Sequence, residues 1–166
     1  MLDRRNLRVV VVLACGLLAA CASKPPPPAA SSELDAVRTI HGGAGPWVVA
    51  GYKMGLYALR ALELPHGSFD LEVEHHSPAE VQYSCIADGA AAATGASLGK
   101  LNLNRVDAPG PETRTTYTNR KTGRAITLRV TPSFAARYRD VPRAELAARG
   151  QEVLELRDED VFEVVP

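Results

Sequence analysis

Apolar and polar positions change rhythm several times along this chain. After Arg4, Arg5 and Arg8, residues 9–20 are apolar almost throughout. A helix needs about 20 residues to cross a bilayer, so this shorter run reads as the apolar core of a secretory signal with a positive start. Four consecutive prolines follow at 25–28 and favour an extended spacer with no core of its own. Periodic patterning begins only after residue 33.

Residues 33–40 predict a short helix, stopped by His41-Gly42-Gly43-Ala44-Gly45-Pro46. From 47 to 64, Val48, Gly51, Gly55, Ala58 and Leu62 recur at spacings of three and four, a helical period. Lys53, Arg60 and Glu63 mark its wetter side. Each helical glycine costs roughly 1 kcal/mol against alanine, so Gly51 and Gly55 predict a second backbone packed closely on this helix. Residues 69–75 alternate strictly, with Phe69, Leu71, Val73 and His75 on one face and Asp70, Glu72 and Glu74 on the other. That is a half-buried strand, with His75 inward and His76 on the acidic side.

Ser77-Pro78-Ala79-Glu80 has the form of a capping box. The main helix is expected over 84–94, with 78–83 as a turn or short helix. Leu101 and Leu103 alternate with Asn102 and Asn104, which predicts a strand. Two more strands are expected at 113–119 and 124–130, joined by a turn with Gly123 at the position that requires positive φ. Thr131-Pro132 and Val141-Pro142 each open a short helix, and an acidic tail packs through Leu154, Leu156, Val161 and Phe162. The order α-β-α-β-β-β with a helical tail predicts an α+β domain of two layers, helices packed on a mixed β-sheet.

Composition narrows the function classes. The formal net charge is +0 and aromatic residues are 5% of the chain, which argues against a nucleic-acid partner. Three cysteines are too few for a disulfide framework or a four-cysteine zinc site. The apolar run ends in Leu18-Ala19-Ala20-Cys21, which resembles a bacterial lipobox. The expectation is cleavage after residue 20, lipidation of Cys21 and a Pro/Ser-rich linker over 21–33. Ala22 rather than Asp after the lipidated residue resembles outer-membrane sorting, facing the periplasm. Loss of residues 1–20 leaves 16 basic and 18 acidic residues, a net charge of about −2. The lipid, not a basic patch, would then hold the protein to the membrane. Cys85 is the one thiol left to the mature domain.

Few residues carry obvious chemistry. Gly95-Ala96-Ser97-Leu98-Gly99-Lys100 is one residue too short for a phosphate loop, and Leu101 stands where Ser or Thr is required. It reads as a helix C-cap and tight turn. Cys85 and Asp88 lie three residues apart near the expected helix start, where the dipole would favour a thiolate. His66 sits in a solvent-facing turn. His41, His75 and His76 are the histidines able to join Cys85 in a transition-metal site.

Four short motifs in order resemble the FmdE family, which takes its name from formylmethanofuran dehydrogenase. They are His41-Gly42 with Pro46, then Gly51-Tyr52-Lys53-Met54-Gly55; Cys85 with Asp88; Thr94 through Leu103; and Asn119-Arg120-Lys121-Thr122-Gly123. The resemblance covers about residues 38–131. It implies an α+β fold similar to the catalytic domain of glyceraldehyde-3-phosphate dehydrogenase, and a homodimer. It also implies a metal site built from His and Cys residues. The family's opening usually resembles His-Gly-His-x-Cys-Pro-Gly, and this chain has Gly43 and Gly45 in place of its second His and its Cys.

The organisation expected is a signal over 1–20, a linker over 21–33, an FmdE-like domain over 34–131 and a helical extension over 132–166. The function expected is a lipid-anchored envelope protein binding zinc, another transition metal or a metal-bearing cofactor. His41 and Cys85 would be ligands, with help from His75 or His76. Two alternatives stay open: a thiol enzyme with Cys85 as nucleophile, Asp88 or a histidine orienting it and helix amides stabilising an anion, and a structural or protein-binding lipoprotein whose metal site has degenerated.

Overall fold

A computed structural model describes residues 33–166. The expected signal, Cys21 and all of the expected linker but its last residue lie outside the described residues. Helix α1 (Asp35–His41) turns sharply into the long helix α2 (Pro46–Leu62). Strand β1 (Leu71–Ser77) leads through helix α3 (Val81–Thr94) to strand β2 (Leu103–Asp107), and the hairpin β3 (Arg114–Asn119) and β4 (Ala125–Val130) follows. Helices α4 (Pro132–Tyr138), α5 (Leu146–Glu155) and α6 (Asp158–Val161) precede a final strand, β5 (Phe162–Val165).

The five strands form one mixed sheet in the order β2-β1-β3-β4-β5. β1 and β2 are parallel, and the other neighbours are antiparallel. The parallel pair requires a crossover, which α3 supplies. Alternation along β1 buries Leu71, Val73, His75 and Ser77 and exposes Glu72 and Glu74. Helices pack on the sheet in an α+β, two-layer fold. The segment expected as a wholly helical extension ends instead in β5, which pairs with β4. The described residues belong to one compact unit with its own core, the property of a domain able to fold alone.

Backbone contact between α2 and α3 explains the glycines. A Cβ on Gly51 would lie 2.1 Å from the Ile86 carbonyl oxygen, and one on Gly89 would lie 1.9 Å from that of Val48. On Gly55 it would meet the Ala93 Cβ at 2.7 Å. The small face of α3 therefore lets two helix backbones touch. Trp47 reaches beyond this contact, edge-on to Tyr83 at 5.2 Å and to Phe134 at 5.6 Å, and ties α2 to both α3 and α4.

Several expected positions shift for identifiable reasons. Lys53 is buried rather than wet: its Nζ lies 3.3 Å from the Leu154 carbonyl, bonds the Leu156 carbonyl and pairs with Asp158 at 3.5 Å. The unclaimed carbonyls at the end of α5 satisfy the charge. Phe69 precedes β1 and is 70% exposed. Leu98 to Lys100 form a short 3-10 turn, which delays β2 and leaves Leu101 exposed, at φ 53. Asn102 is the buried residue there, donating to the Leu71 carbonyl at 2.9 Å and accepting from the Ser97 amide at 3.0 Å.

Candidate functional site

The main cleft lies where α1 gives way to α2. His41 ends α1, and Gly42 follows at φ 81, the left-handed conformation that glycine adopts without strain. Gly45 stands ahead of α2 in extended backbone, and Pro46 starts the helix. Helix α5 seats this turn closely, since a Cβ on Gly150 would lie 1.8 Å from the Ala44 carbonyl oxygen. Val81, Gln82 and Cys85 of α3 share the lining with Trp47 and Val48 of α2. The far wall is Tyr138, Arg139, Val141, Arg143, Leu146 and Ala147. The open cleft measures about 650 Å³, within the range of small-molecule sites.

Asp88 orients His41. Its Oδ2 lies 2.8 Å from His41 Nδ1. An ionised carboxylate only accepts, so Nδ1 carries the proton and Nε2 keeps its lone pair in the neutral ring. Carboxylates hold metal-binding histidines in this way. Cys85, one helical turn before Asp88, lines the same cleft as His41. The structure thus brings together His41, Asp88 and Cys85.

The thiol itself departs from expectation. Cys85 is 8% exposed, and its Sγ–H donates to the Gln82 carbonyl at 3.3 Å. Burial, and secondarily the Asp88 charge, push its pKa up to about 12. The helix dipole would do the opposite only at the helix start. Helix α3 begins at Val81, three residues before the expected position, so Cys85 sits in its second turn, past the free amides of the first.

Neither strand histidine joins the cleft lining. His75 points inward, but both its nitrogens are engaged. Nε2–H donates to the Tyr83 carbonyl at 3.1 Å, and Nδ1 accepts from the Thr115 hydroxyl at 2.8 Å. Burial lowers its pKa to about 4, so the ring is neutral and holds β1 to α3 and β3. His76 lies 2.6 Å through Nε2 from Glu74 Oε1. His66 is exposed, with Nδ1 against the Ala93 carbonyl at 2.9 Å. Among the described residues, no group of three His, Cys, Asp or Glu side chains is placed to hold a metal.

The remaining motifs build the fold. Lys100 places its amine on the Gly67 and Gly95 carbonyls at 3.2 and 2.8 Å, and Gly95 closes α3 at φ 71. That arrangement is a packed turn with its cation satisfied. Asn119 accepts from the Lys121 and Thr122 amides and donates to the Leu62 carbonyl, which shapes the hairpin turn and docks it on α2.

Reading by motif locates the near wall of the cleft and misses the far one. Trp47 marks only a helix boundary in the sequence, and the residues after α4 mark only a second helix start. Their approach to the 41–46 turn depends on α5 packing.

Residues 40–163 match a family model described as FmdE, Molybdenum formylmethanofuran dehydrogenase operon. No curated protein matches the chain. The family match extends well past residue 131, through α4, α5 and α6 and into β5.

Proposed function

The chain belongs to the FmdE family, and from that premise we propose that it is a lipid-anchored binding protein of the bacterial envelope whose cleft takes a metal-bearing ligand. The carrying observation is the Asp88-held His41, which leaves Nε2 as a free donor beside Cys85 in one cleft. Two protein donors do not fit an ion caged by this chain alone, because structural zinc takes four ligands and catalytic zinc three plus a water. They do fit an ion that arrives with other ligands of its own. His41 would bind through Nε2. Cys85 would bind as thiolate, since a coordinated metal overrides the pKa that burial imposes.

The thiol-enzyme alternative loses support. A thiol with its pKa near 12 is protonated at neutral pH, and the thiolate is the nucleophile. Anchoring rests on the sequence pattern: Cys21 follows the signal and lipobox, and the proline spacer would hold the domain off the outer membrane on its periplasmic side.

Metal analysis of residues 31–166, purified without a His tag, tests the site. Zinc or cobalt supplied as its ethylenediamine complex, which brings two of the ligands, should be retained, and Cys85→Ser and His41→Ala should each abolish retention. With cobalt, a thiolate-to-metal charge-transfer band should vanish in Cys85→Ser. Unchanged metal content in both variants would overturn the reading. Anchoring is tested separately: Cys21→Ser should leave the membrane fraction, and unaltered fractionation and mass would refute lipidation.

A further inference from the structure

Charge around the cleft is distributed unevenly. Of the twelve arginines among the described residues, ten make ion pairs with acidic side chains. Arg139 and Arg143 make none, and both line this cleft. No acidic side chain belongs to the lining. Asp140, adjacent in sequence, pairs with neither arginine, and Glu145 is engaged by Arg149. A surface that pairs its guanidinium groups so consistently has left two of them facing one cavity.

The rest of the lining adds to this. Gly45 offers no side chain to cap α2, and the first turn of that helix holds no acid. The amides of Trp47 and Val48 are therefore left without a side-chain cap at the same cleft, with the positive end of the helix dipole behind them. Apart from Gln82 and Tyr138, the remaining wall is mostly apolar, with Pro46, Trp47, Val81, Val141 and Leu146. Val81 is 76% exposed, a large apolar side chain presented to solvent at the cleft.

We propose that the cleft selects a ligand with a flat apolar body and an anionic group, and that Arg139 and Arg143 hold the anion. Guanidinium groups match carboxylate and phosphate oxygens in paired, charge-assisted hydrogen bonds. The apolar body would lie along Val81, Val141 and Leu146, over the small part of Trp47 that the cleft leaves uncovered. This inference rests on the cleft being the binding site proposed above, but not on the metal. His41 and Cys85 serve the metal on one wall, and the arginines serve the anion on the other.

The test uses three probes sharing one ring system: 2-naphthoate, 2-naphthyl phosphate and 2-naphthol, titrated into residues 31–166 by calorimetry. Trp47, the single tryptophan of the chain, reports independently whether binding is in the cleft. At least one anionic probe should bind at least about tenfold more tightly than 2-naphthol and lose affinity with added salt. The carboxylate and phosphate arms identify which anion is preferred. The double variant Arg139→Gln/Arg143→Gln should erase that preference while 2-naphthol binding changes less than about twofold. Both residues are exposed, so the variant should fold. Equal binding of all three probes, unchanged anion binding in the double variant, or no binding by any probe would each overturn the proposal. Metal retention separates the two readings. The double variant should keep the wild-type metal content, whereas His41→Ala should lose metal and keep the anion preference.

Discussion

Glycines are concentrated in two regions of this domain, and they do opposite things there. Between α2 and α3, Gly51, Gly55 and Gly89 are small because another backbone or methyl group fills the space where a side chain would be. In the 41–46 turn, Gly43 has nothing within 4 Å of a Cβ position, and Gly45 meets only the Leu146 side chain at 3.5 Å. The first group lets the protein close on itself. The second leaves a wall open beside His41. The same residue type therefore marks a packed seam in one place and room for a ligand in the other, and only the neighbours distinguish them.

The largest expected effect lies at the seam. Gly89→Ala places a methyl 1.9 Å from a helix carbonyl, and backbone cannot yield as a flexible side chain would. We expect a loss of at least about 3 kcal/mol, at the upper end of overpacking costs, or failure to fold, read by urea denaturation. Gly55→Leu, which meets a methyl first, should cost roughly 1–3 kcal/mol. Wild-type stability in both would show that the two helices are not in backbone contact.

Next comes the pH dependence of the buried side of the sheet. His75 falls from 6.5 in the unfolded chain to about 4 in the fold. Between those values the unfolded state binds the extra proton, so stability is complete above about pH 6.5 and is lost as pH falls toward 4. The drop corresponds to about 3 kcal/mol, measurable by denaturation at a series of pH values. His75→Phe should flatten that slope. An undiminished slope in the variant would assign the pH dependence elsewhere.

The open turn offers the converse test. Gly45 has extended backbone and ordinary van der Waals space, so Gly43→His combined with Gly45→Cys should be accommodated and would supply the two donors of the family's usual opening. Zinc affinity should rise at least about tenfold, by competition with a chelating dye. An unchanged affinity would mean that the turn does not face the metal. The smallest effect is expected from Gly43→Ala, within about 0.5 kcal/mol of wild type. A large destabilisation there would erase the contrast with the seam.

Much of this is legible along the chain because it depends on local periodicity. The helical spacing of 48–62, the alternation around Val73 and the hairpin at Gly123 each need only near neighbours to be read. Even the inward direction of His75 follows from a period of two. What that ring does inward does not follow, because its partners Tyr83 and Thr115 come from elements separated from it by turns and by a sheet pairing. The same gap explains Cys85: burial, and secondarily the Asp88 charge, raise its pKa, and burial depends on which elements pack over α3 rather than on where that helix starts.

By itself the sequence determined the family, the α+β class and the pairing of small residues that allows two helices to touch. It also held the motif residues His41, Cys85 and Asp88. The tertiary structure alone decided that His41 meets Asp88 across 47 positions, that His75 is spent on the fold, and that Arg139 and Arg143 face the cleft unpaired. Local patterns record which face of an element is buried. They do not record which distant carboxylate, carbonyl or guanidinium arrives at that face, because that depends on how the helices and the sheet close on one another.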